Sequence, residues 1–101
     1  MQRHHEVEFA QFVEAIYSDA ASTVRWDRLY RWFGADRITK SVWRDIYLKW
    51  SDLCEFHGYE EVPQLTCIKL PNSLTIMRKN FSDEEATHLS DQGELIIEKS
   101  E

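Results

Sequence analysis

Three glycines, two prolines and two cysteines are all that this chain of 101 residues carries of the residue types that most often build special sites. Gly34, Gly58 and Gly93 stand apart, so no glycine-rich loop is present to cradle a nucleotide's phosphates. Cys54 falls in a helical pattern and Cys67 in a strand pattern, which is too little for a disulfide framework and reads as two free thiols. No segment approaches the roughly 20 apolar residues that cross a bilayer. The opening MQRHHEVEFAQF carries acids where a signal peptide has its apolar run, which points to the cytoplasm and away from a membrane.

Catalytic patterns are equally scarce. His4 and His5 are adjacent and lack the ligand spacing of a structural zinc site. His57 follows Cys54 by three residues and shares its helix face, but two ligands do not make a metal centre. His88 has no apposed nucleophile, and the carboxylates form no recognisable acid and base pair. The expectation is therefore no catalytic residue, no metal, no cofactor and no evident small-molecule substrate. An oligomeric enzyme with a site at its interface is the remote alternative.

What the chain does have is aromatic bulk. Four Trp, five Phe and four Tyr, within an apolar share of 43%, are enough for a hydrophobic core and exclude disorder except at the ends. The length suits one domain spanning residues 1–101. Charge is uneven within a formal net of −6: residues 25–49 hold seven bases and three acids, whereas the rest holds five bases and fifteen acids. Such a balance opposes indiscriminate nucleic-acid binding but allows a local basic surface.

Residues 6–21 place Phe9, Phe12, Val13, Ile16, Tyr17 and Ala20 on one helical stripe. Ser22 and Thr23 break the pattern and offer a cap for a second helix over about 24–33, with Trp26, Leu29, Tyr30 and Phe33 inward and Gly34 as its stop. Trp32 falls outside that stripe, so it packs at a flank or joins a contact surface. A third helix from the cap Thr39 to His57 keeps Trp43, Ile46, Tyr47, Trp50, Leu53 and Cys54 at helical period, with Leu48 on its other side.

The period then changes to two. LTCIKL and LTIMRK, joined by Pro71, Asn72 and Ser73, read as a hairpin in which Leu70 faces Leu74 and Ile68 faces Ile76. Ser82 to Glu85 is a capping box that starts a short helix, and GELIIEK supplies a third strand. The whole reads as an α+β, winged-helix-like arrangement: a three-helix core followed by a hairpin, a short helix and that strand.

In such a helix-turn-helix the start of the third helix would present Arg37, Thr39, Lys40, Ser41 and Arg44 to phosphates or base edges. Arg25, Arg28 and Arg31 would add to it from the second helix, and Arg78 and Lys79 from the hairpin. Against this, acids at 60–61, 83–85 and 94–101 oppose a phosphate backbone. The functional expectation is a non-enzymatic interaction or regulatory module, whose partner is a protein or a second copy of the chain. DNA contact through the basic strip is its sharper form, and a pure protein-binding adaptor using Trp32 and Leu48 is the alternative.

Overall fold

The computed structural model describes residues 1–78 and 94–99 and has the architecture of a small α+β fold. Helix α1 spans Arg3–Asp19 and buries Phe9, Phe12, Val13 and Ile16, whose three- and four-residue spacing keeps them on one side. It stops at Ala20, which adopts φ 74°, a left-handed conformation that costs an alanine more than a glycine.

A strand follows where the sequence suggested only a break and a cap. β1, Ala21–Arg25, leads directly into helix α2, Trp26–Phe33. Gly34 closes α2 at φ 61°, and the N–H of Ala35 returns to the Tyr30 carbonyl at 3.0 Å, as a glycine-stopped helix requires. Helix α3, Lys40–Phe56, starts at Thr39 as expected, although the Thr39 hydroxyl bonds to Ser41 Oγ at 3.0 Å rather than capping a backbone N–H.

Strands β2, Leu65–Lys69, and β3, Ser73–Arg78, form the hairpin; β4, Glu94–Leu95, and the helical turn α4, Ile96–Lys99, come last. The sheet is antiparallel with order β1-β3-β2-β4, so β1 pairs with the far strand of the hairpin. The expected third strand over 93–99 is thus reduced to two residues, and Ile96 turns inward to complete burial. The expected capping box and short helix at 82–90 lie outside the described residues.

The hairpin register differs by one residue from the sequence expectation. Lys69 faces Leu74, Ile68 faces Thr75 and Cys67 faces Ile76, which leaves a loop of Pro71 and Asn72 between the paired Leu70 and Ser73. Because side chains alternate, the slip exchanges the faces of β2. Leu65 and Cys67 turn to the core with Leu74, Ile76 and Val24, while Leu70 is exposed. Trp26 accounts for the difference: its N–H donates to the Asn72 carbonyl at 3.3 Å and its indole Nε1 to the Leu70 carbonyl at 2.7 Å. These bonds fix the loop from outside the hairpin.

The core fills the space between the helices and one face of the sheet. Trp50 is fully buried at its centre, and its Nε1 donates to the Pro63 carbonyl at 2.7 Å, tying down the connection from α3 to β2. Both thiols, Cys54 and Cys67, are buried and free. No helix among the described residues is long and apolar enough to cross a membrane.

Candidate interaction surface

The basic residues of α2 reach solvent already engaged with acids. Asp27 accepts from Arg25 Nε at 3.2 Å and from Arg31 Nη2 at 3.4 Å, while Arg28 pairs with Glu8 of α1 at 3.8 Å. Burial pushes the Asp27 carboxyl upward, but the charges of Arg25 and Arg31 and the hydrogen bonds from Arg28 N–H and Arg25 outweigh it. The result is a pKa held below the ordinary aspartate value. These are exposed pairs, individually weak, yet they offset much of the positive charge that these arginines present.

The approach to α3 differs. Arg37, Thr39, Lys40, Ser41 and Arg44 are all exposed, and Lys40, Arg44 and Leu48 recur at four-residue steps along one side of the helix. Arg37 and Lys40 make no ion pair with any described residue. Leu48 is 51% exposed, and acids interrupt the same outward surface at Asp45, Asp52 and Glu55. The face is therefore of mixed sign around an apolar residue, not a continuous basic strip.

Two candidates stand elsewhere. Trp32 is buried, at 3% exposure, between Phe9 and Phe12 with ring centroids 5.9 and 5.7 Å away, so it packs against α1. The inward face of α2 is set by Leu29 and Trp32, with Trp26 and Phe33 partly buried beside them, because α1 supplies the aromatic partners. Arg78 is half-buried and donates from Nε to the Tyr17 carbonyl at 3.1 Å, which turns it into the fold. Lys79 lies outside the described residues. Near the hairpin, Lys69 sits over the Trp43 ring at 6.0 Å, in cation–π range.

Two features were invisible to residue-by-residue reading. Tyr17 stacks on His57 at 4.4 Å, with ring planes 12° apart, and donates its hydroxyl to the Tyr59 oxygen at 3.3 Å. The Tyr59 bond and burial raise the Tyr17 phenol above its ordinary value, and burial raises the Cys54 thiol nearby, so both groups stay protonated at neutral pH. The second feature is a cleft of about 410 Å³ between α1, β1 and α2, with Arg25 and Arg28 at its rim. Trp32 lines it, and that side chain's Nε1 has no hydrogen-bond partner among the described residues.

Among the described residues no group of three His, Cys, Asp or Glu side chains is placed to hold a metal ion. Comparison of the chain with models of protein families, with curated proteins and with solved structures finds no match.

Proposed function

We propose that this chain is a small cytoplasmic, non-enzymatic interaction module of winged-helix-like layout that engages a protein partner through the outer face of α3. The observation that carries the reading is the setting of Leu48: a half-exposed apolar side chain on the helix face that carries Arg44, Asp45 and Asp52 within a turn and Lys40 further toward its start, all exposed and of both signs. An apolar centre with a mixed polar rim suits a protein surface, whereas a phosphate backbone asks for one sign of charge. The winged-helix analogy rests on a strand between the first two helices that joins the later hairpin. Such an analogy of layout does not fix function.

DNA binding is the second reading. It is favoured by the exposed start of α3, where Arg37 and Lys40 pair with no acid among the described residues and Ser41 and Arg44 lie alongside. The paired arginines of α2 and the inward Arg78 leave this segment to supply the phosphate contacts.

One set of measurements separates the two. The purified protein is titrated with random-sequence duplex DNA at two salt concentrations, its mass in solution is recorded, and a photo-crosslinker at position 48 is used in cells. The protein-partner reading expects no salt-sensitive DNA affinity and a discrete crosslinked species that Leu48→Asp abolishes. A dimer that Leu48→Asp dissolves would make the partner a second copy. Salt-dependent DNA binding lost in Lys40→Ala and Arg44→Ala would replace this reading with the second.

A further inference from the structure

β1 is an edge strand whose free side opens into the cleft beside α1, and its register shows which backbone groups face that side. Arg78 N–H donates to the Ala20 carbonyl and Trp26 N–H to the Asn72 carbonyl, at 3.0 and 3.3 Å. In the register that pairs Ser22 with Ile76 and Val24 with Leu74, these bonds mark Ala20, Ser22, Val24 and Trp26 as the residues that bond to β3. The backbone groups of Ala21 and Thr23 then point the other way. No described backbone group outside the β1–β3 ladder bonds to Thr23.

The opposite wall of the cleft is one face of α1, where Glu8, Gln11 and Ala15 recur at helical spacing. A groove between a free strand edge and a helix is the geometry in which an extended peptide adds a strand. Main-chain bonds hold such a peptide, and alternate side chains meet the wall. At the α2 end, Arg25 and Arg28 line the groove. Among the described residues Arg28 pairs with Glu8 at 3.8 Å and Arg25 with Asp27 at 3.2 Å; the arginine side chains are exposed and Glu8 is partly so, and pairs of that kind yield readily to another carboxylate.

We propose that this groove binds an extended, acidic segment of a partner protein by strand addition to β1, with a carboxylate of the segment received by Arg25 and Arg28. The N–H and C=O of Thr23, which point away from β3, supply the central backbone bonds, and the basic rim selects the charge. This surface is distinct from the outer face of α3, and the proposal stands or falls independently of the reading given for that face.

The probe is a synthetic peptide of about six residues, the usual strand length, in which valine alternates with glutamate; the control replaces each glutamate by lysine. Binding is followed by amide NMR shifts and fluorescence anisotropy. The expected result is shifts centred on Ala21, Thr23 and the α1 wall at Gln11 and Ala15, with the glutamate peptide binding at least about tenfold more tightly than the lysine one. Thr23→Pro removes an N–H that points away from β3, a position where an edge strand accepts proline, and should abolish binding while the amide spectrum elsewhere stays dispersed. Arg28→Glu, which leaves the backbone untouched, should reverse the charge preference.

Absence of shifts at Thr23 with either peptide overturns the proposal. So does binding that survives both substitutions, and so does concentration-dependent pairing of β1 with a second copy of β1 that occupies the edge in the peptide's place.

Discussion

Arg78, the last residue of β3, holds the end of α1 by two bonds: its N–H reaches the Ala20 carbonyl at 3.0 Å and its guanidinium Nε the Tyr17 carbonyl at 3.1 Å. Carbonyls at a helix C-terminus lack partners within the helix, and a cation there also meets the negative end of its dipole. Arg78→Ala should therefore destabilise the fold by about 1.5–3 kcal/mol, the range for a hydrogen bond to a charged group. Urea denaturation measures it, and Arg78→Lys should recover only part, since an ammonium lacks the planar fork of a guanidinium.

Ala20 is a stabilising substitution in waiting. Its φ of 74° lies where an alanine is strained and a glycine is not. Ala20→Gly should raise stability by about 0.5–1 kcal/mol once glycine's greater freedom in the unfolded chain is set against the relieved strain. The shift in urea midpoint at constant slope is the readout.

Thr66 is 1% exposed and its hydroxyl has no hydrogen-bond partner among the described residues. Valine keeps the branched shape and removes the stranded polar atom, so Thr66→Val should stabilise by about 1 kcal/mol or more. Thermal unfolding tests this, and a destabilised variant would mean that the hydroxyl is bonded in solution.

Acidification should act on Asp27. Its folded pKa is depressed, so the stabilisation it contributes is present above the ordinary aspartate value of about 3.9 and is lost as pH falls through the lower folded value. Asp27→Asn should show a smaller loss of melting temperature between neutral pH and pH of about 3 than the wild type. Added salt should narrow that difference, because the pairs with Arg25 and Arg31 are exposed.

Helices α1 and α3 were legible because each carries its own period: Phe9, Phe12, Val13 and Ile16 in α1, and Trp43, Ile46, Trp50 and Cys54 in α3, are buried where the spacing placed them, whereas in α2 Trp32 is buried against the expected stripe. β1 was not, because ASTVR has one fully buried residue, Val24, and becomes a strand only when β3 lies beside it. The hairpin register failed for a related reason. Matching Ile68 to Ile76 satisfies local pattern, but Trp26, 44 residues from Leu70, selects the other alignment. At the candidate surface, sequence named the charged residues but could not show that Asp27 and Glu8 would occupy the arginines of α2, nor that Arg78 would turn toward Tyr17. Those partnerships are made by tertiary approach, which periodicity does not encode.

The insertion of β1 between the first two helices makes this a protein of distant pairings. Ala21 meets Met77 and Arg25 meets Ser73, so the sheet is not complete until the first quarter of the chain has found the far strand of the hairpin. Closing so large a loop comes before any reward from the contacts it brings, which slows folding relative to a helical bundle of the same size. It also leaves no shorter autonomous unit: a nascent chain that has emerged only as far as β2 holds a strand segment without a neighbour, and its helices without the apolar face of Leu74 and Ile76 that closes over them.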